Sequence, residues 1–170
     1  MKRPIALLLV LCFCGALLLC GCDVTLQEVS EPETTRTALV LLDVDISTLL
    51  TKAEMEEALD VNLREPQVSN EGRTLFAISE GGKVSISISV ERSTLDEFHT
   101  ALPKVDGEDL EAAPNLGEEA WWLSSGSTLF FYSGAYTVSV NVSDRTVSEE
   151  TVLLSARQIA TLLYDRLPTA

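Results

Sequence analysis

The sequence predicts an α+β fold: one antiparallel sheet of about five to six strands, packed by about three helices. Segments 84–90 and 136–143 alternate between apolar and small polar residues, as strands do when only one sheet face is buried. Glycine-containing turns at 80–83 and 133–135 connect each segment to a preceding strand. Near the C-terminus, apolar residues recur at helical spacing. These patterns together predict antiparallel hairpins with a helix lying across them.

The first half of the domain is predicted to contain a strand, a helix and a hairpin. The apolar run 38–44 is short enough for a strand, although a helical segment fits the same composition. Thr51 and Glu54 have the spacing of a capping box, in which each side chain accepts a hydrogen bond from the other's backbone amide. We therefore expect a helix over 52–59, followed by a strand at about 73–79 and the first alternating segment.

The second half begins with a short helix and a long loop. Ser93 is expected to cap the helix, which should end before Pro103 because proline disfavours helical backbone in the preceding residue. Residues 105–119 are rich in Asp, Glu, Gly and Pro, which is typical of an acidic loop. Strands at 120–123 and 128–133 then precede the second alternating segment.

A final helix should begin near Ser148 and end before Pro168. Its apolar stripe consists of Val152, Ala156, Ile159, Ala160, Leu163 and Leu167. The predicted order of helices and strands suggests a loose duplication of an αββ unit.

The N-terminal segment has a different character. Lys2 and Arg3 precede an apolar run at 5–19, and Leu19-Cys20-Gly21-Cys22 resembles the lipobox of bacterial lipoproteins. The resemblance implies a signal peptide over 1–21 and acylation of Cys22, which would anchor the protein in membrane lipid on the extracytoplasmic face of the cell membrane. An uncleaved transmembrane helix is the alternative, since about 17 residues can span a membrane.

Composition separates a tether from the domain and excludes several chemistries. Residues 22–37 are acidic and poor in apolar side chains, which predicts a disordered tether before a single domain at 38–170. The chain has 12 basic and 26 acidic residues, a net charge of −14, which disfavours nucleic acid as a partner. All four cysteines lie at or before position 22, in the predicted signal and at the acylation site, so neither disulfides nor cysteine ligands are expected in the domain.

Three segments of the domain resemble bacterial envelope lipoproteins of unknown function that have a PsbP-like α/β sandwich. They are Leu50-Thr51-Lys52-Ala53-Glu54-Met55, Leu116-Gly117-Glu118-Glu119-Ala120 and residues 154–167. The resemblance covers nearly the whole chain after the signal and implies a curved antiparallel sheet with helices packed on it. It implies no particular activity. Many of these relatives have a cysteine near the first strand, where this chain has none.

Residues with catalytic or metal-binding chemistry are few. His99 is the only histidine and is more typical of a surface or packing position than of a catalytic base. Asp43, Asp45 and the acidic run 106–109 lack the spacing of a calcium loop, and the serines at 124–127 lack a nucleophile-elbow motif. We therefore expect no catalytic residues, no metal and no cofactor.

Two features could form a recognition surface. Trp121 and Trp122 would place one indole on each face of a strand, although both rings could instead be packed. The second feature is a face of short polar side chains, which could receive a ligand or simply be solvated. It consists of Ser85, Ser87, Ser89, Thr137, Ser139 and Asn141.

The sequence favours a membrane-tethered binding or adaptor protein without catalysis, which uses the sheet and the acidic loop to engage another envelope protein. A carrier of a small or lipidic ligand, held between sheet and helix, is the alternative. An envelope hydrolase is a third hypothesis, and it would require His99 to meet a carboxylate and a serine.

Overall fold

A computed structural model describes residues 44–104 and 109–168 of the chain, and it has the predicted α+β class. In chain order the described elements are α1 (Ile46–Leu49), α2 (Lys52–Leu59), β1 (Gln67–Ser69), β2 (Thr74–Ile78), β3 (Val84–Arg92), α3 (Leu95–Ala101), β4 (Leu110–Ala112), β5 (Glu119–Leu123), β6 (Thr128–Ser133), β7 (Tyr136–Asp144) and α4 (Glu149–Tyr164). The predicted signal, tether and most of the first strand lie outside the described residues.

The seven strands of the described residues form one antiparallel sheet in the order β1-β2-β3-β7-β6-β5-β4. Each half of the sheet is a meander, and the halves meet where β3 pairs with β7, from Val84 opposite Asp144 to Arg92 opposite Tyr136. These two central strands are the alternating segments of the sequence. The two meanders contain three and four strands, so both are larger than the αββ unit that the sequence suggests.

The sheet has more strands than the five to six predicted. The additional strands β1 and β4 have three residues each and lie at the two edges. They are too short to show alternation, and they are strands because they pair with β2 and β5. Expecting a loop throughout 105–119 was therefore wrong at β4 and at the start of β5, while 105–108 are not described.

Helix starts are set by local capping. Both capping-box bonds between Thr51 and Glu54 are present, and α2 has the predicted bounds. Helix α3 is capped by Thr94 rather than by the predicted Ser93. The Ser93 hydroxyl lies instead 2.5 Å from the Thr137 hydroxyl. Asp45 caps the additional helix α1, so the described end of the Asp43–Asp45 segment begins a helix rather than ending a strand.

The main core lies between the sheet and helices α1, α2 and α4. Ser148 caps α4 as predicted, and the residues of its apolar stripe are buried. Ile159 is fully buried, as are Ile88 and Val140 on the central strands. Helix α3 contacts the other side of the sheet through Phe98, whose ring centroid lies 5.9 Å from that of Tyr132. Among the described helices, none is both long enough and apolar enough to cross a membrane.

Candidate functional site

The sheet face opposite α4, here called the second face, carries the short polar side chains predicted from the sequence. All six are half-buried and belong to the adjacent central strands β3 and β7: Ser85, Ser87, Ser89, Thr137, Ser139 and Asn141. Ser87 lies opposite Asn141 and Ser89 opposite Ser139 in the register. The Ser89 and Ser139 hydroxyls are 2.9 Å apart. The structure therefore brings the six residues together as one surface.

Asn141 also has a local structural role. Its side-chain nitrogen donates to the carbonyl oxygen of Gly126 at 2.6 Å and to the hydroxyl of Thr128 at 2.9 Å. These bonds attach the β5–β6 turn, which contains the serines at 124–127, to the central strand. Within the described part of the chain, by contrast, the Ser85 and Ser87 hydroxyls have no hydrogen-bond partner, so both are available to a ligand.

Aromatic residues flank this polar centre on both sides, a feature that was not predicted from the sequence. Phe76 on β2 lies opposite Ser87 and is 44% exposed. On the other side, Phe130 lies opposite Ser139, and Trp121 lies opposite Phe130. Alternation in β2 and β6 could have placed both phenylalanines on this face, had the register with the central strands been known.

The two tryptophans lie on opposite faces of β5. Trp122 is 2% exposed and belongs to the main core, where its indole nitrogen donates to Glu149 at 3.3 Å. Trp121 is half-buried on the second face. A partner that binds this face would therefore contact Trp121, whereas Trp122 is part of the packing.

The indole of Trp121 is held in place by a carboxylate. Its nitrogen donates to one oxygen of Glu119 at 2.6 Å, and the other oxygen lies 2.7 Å from Nε2 of His99 on α3. Hydrogen bonding to His99, and then to Trp121, lowers the pKa of Glu119 below its usual value. The carboxylate therefore remains ionised at neutral pH, and it connects α3 to the indole.

A hydrolase would need His99 to contact both a carboxylate and a serine, and the contact with Glu119 provides the carboxylate. The His99 side chain is 48% exposed, and no serine among the described residues is hydrogen-bonded to it. The described ranges also contain no group of three or more His, Cys, Asp or Glu side chains placed to hold a metal ion. Cys22, Asp43 and residues 106–108 lie outside those ranges.

Comparisons with protein-family models, with curated proteins and with solved structures found no match to this chain.

Proposed function

We propose that this protein is a binding or adaptor protein that acts without catalysis. It would be tethered to the cell membrane on the extracytoplasmic face. Acylated Cys22 would be the tether, as the lipobox resemblance implies. The observation that best supports a binding function is the second face. Its polar centre is flanked by Phe76 on one side and by Phe130 and Trp121 on the other.

The aromatic residues of this face support a protein partner. Tyrosine, tryptophan and phenylalanine are enriched at protein interfaces, and tryptophan is among the residues that most often provide the largest share of the binding energy. Serine and threonine lose little side-chain entropy when they are covered, in contrast to lysine and glutamate. The central strands therefore offer hydrogen-bonding groups at low entropic cost, beside apolar anchors.

Preorganisation provides a second argument. Trp121 has a fixed hydrogen-bond acceptor in Glu119, which is itself bonded to His99. A side chain held before binding loses less conformational freedom when the complex forms, which favours affinity. On this proposal the Glu119–His99 pair positions the indole for a partner and has no role in proton transfer.

The helix-side packing gives less support to a carrier of a small or lipidic ligand. The α4 residues Ala156, Ile159 and Leu163 are fully buried in the core that the helix shares with the sheet, so a ligand at this part of the helix would compete with packed side chains. A resemblance to PsbP-like lipoproteins remains part of the proposal, and the antiparallel sheet with helices packed on it is compatible with it.

Site-specific photocrosslinking in native membranes tests the proposal. Benzoylphenylalanine at position 76 would lie on the second face, and at position 164 it would replace an equally exposed aromatic residue on α4 (Phe76 is 44% and Tyr164 41% exposed). We expect a discrete protein adduct from position 76 that position 164 does not give. No adduct at position 76, or the same adducts at both positions, would contradict binding through this face.

A further inference from the structure

A groove of about 790 Å³ lies on the helix side of the sheet, at the end where α2 terminates and α4 begins. The β2–β3 hairpin and the last residues of β7 complete its walls. Its floor includes the core residues Leu59, Val84, Val142 and Val152. The groove is therefore remote from the second face, which is on the opposite side of the sheet.

Two apolar side chains beside this floor are exposed to solvent. Val147, just before α4, is 43% exposed, and Leu154 on the first turns of α4 is 58% exposed. Both line the groove, so an occupant could cover them together with the apolar floor. Covering apolar surface that would otherwise face water favours the formation of a complex.

The rim of the groove is acidic. Among the described residues that line it, four are carboxylates, from Glu57, Asp60, Glu80 and Asp144, and one is an ammonium group, from Lys83. Asp144 accepts hydrogen bonds from the backbone and hydroxyl of Thr146. The other three carboxylates have no salt bridge to any described residue. Positive charges on an occupant would therefore meet carboxylates without competing partners.

The polar groups of the groove argue against a small polar ligand. Such ligands are usually oriented by a few converging polar groups within a pocket. Ser79 is the buried polar side chain here, and its hydroxyl already accepts hydrogen bonds from the backbone of Lys83 and Val84. No buried side-chain nitrogen or oxygen in the described ranges lacks a partner. The acidic rim, in turn, repels anionic lipid headgroups.

We propose that this groove binds a basic amphipathic segment of a partner protein. Apolar side chains of the segment would cover Val147 and Leu154, while its lysines or arginines would lie against Glu57, Asp60 and Glu80. The site is additional to the second face and does not depend on it.

A titration of the full-length chain with two peptides tests this inference. The chain is placed in discs of zwitterionic lipid, with empty discs measured alongside. The probes are a fluorescent amphipathic helical peptide of leucine and lysine, and the same peptide with glutamate in place of lysine. We expect anisotropy to show binding of the lysine peptide alone, weakening as salt shortens the Debye length from about 10 Å at 0.1 M to about 3 Å at 1 M.

Matched variants locate the binding. Leu154→Ser and Glu57→Lys each alter an exposed groove residue, and we expect each to weaken binding about fivefold. Leu95→Ser and Glu91→Lys make the same changes at exposed positions that do not line the groove, and should have no effect.

Failure to bind the lysine peptide, equal binding of the glutamate peptide, or equal weakening by groove and control variants would each overturn the inference. None of these outcomes alters the crosslinking expected from position 76.

Discussion

The ion pair between Glu54 and Arg166 allows a quantitative test of how the segment after α4 is attached to α2. One guanidinium nitrogen of Arg166 donates to Glu54 at 2.5 Å, and the other donates to Glu54 at 3.0 Å and to the carbonyl oxygen of Leu49 at 2.7 Å. The same carboxylate accepts a hydrogen bond from the backbone of Thr51 in the capping box. The chain beyond α4 is thereby attached to the N-terminus of α2.

These contacts lower the pKa of Glu54 to about 2, chiefly through the hydrogen bond from Arg166 and then through those from Thr51. A depression from the ordinary value of 4.5 would correspond to about 3 kcal/mol of folding free energy if it were fully expressed. The Glu54 side chain is 26% exposed and that of Arg166 is 38% exposed, so solvent screens the pair. We therefore expect Glu54 ionisation to contribute about 1–2 kcal/mol.

The perturbation is Glu54→Gln, which removes the charge while leaving a residue that can still complete a capping box. We expect urea unfolding of the full-length chain at pH 7 to show a loss of about 1–2 kcal/mol. Glu57→Gln is the matched control, because Glu57 is an exposed residue of the same helix without a salt bridge to any described residue.

The pH dependence distinguishes the charge from other effects of the substitution. Since folding lowers the pKa of Glu54, its contribution is complete above about pH 4.5 and is lost as the pH falls toward 2. The difference between wild type and Glu54→Gln should thus shrink by about half by pH 3. Equal stability of the Glu54→Gln and Glu57→Gln variants at pH 7, or a difference that stays constant down to pH 3, would refute this reasoning.

Two further predictions concern the backbone and the proposed anchor. Gly117 has a φ of +64°, and a Cβ there would clash with the carbonyl oxygen of Tyr132, so Gly117→Ala should lower the unfolding free energy by about 2 kcal/mol or more in a urea titration. Gly81→Ala, where a Cβ meets open space, should cost much less, and equal losses would contradict the argument. Cys22→Ala should abolish metabolic labelling with a palmitate analogue in the host, whereas Cys20→Ala should retain it, and undiminished labelling of the Cys22 variant would contradict acylation at that residue.

The long elements were predictable from sequence because their periodicity extends over several turns or residue pairs. Strands β3 and β7 alternate along their lengths, and α4 carries a continuous apolar stripe. Helix α2 was predicted with its observed bounds, because a capping box is a local signal that requires no tertiary contact.

The short elements were missed for the corresponding reason. Strands β1 and β4 have three residues each, too few for a pattern, and their conformation depends on pairing with neighbouring strands. The cap of α3 was placed one residue too early because Ser93 and Thr94 are both good capping residues. The Ser93 hydroxyl instead contacts Thr137, 44 positions away, which local patterns do not show.

The residues of the candidate site also fall into those that local patterns predict and those that only tertiary contacts place. The polar residues of β3 and β7 were predicted as a set, because alternation places them on one side of each strand and the apolar sides of both strands are expected in the same core. The flanking Phe76 and Phe130 were not, because only the strand order places them beside the polar centre. Nor did any pattern connect His99 to Glu119, which lies 20 positions further along the chain.

By itself, then, the sequence determined the fold class, the principal helices and strands, the face on which each alternating residue lies and the acidic character of the chain. These depend on local periodicity and composition. Only the tertiary structure decided the strand order, which tryptophan is buried, how Glu119 holds Trp121 and where the acidic groove forms. Each of these depends on contacts between residues far apart in the chain, and such contacts arise only when the two meanders and the helices pack together.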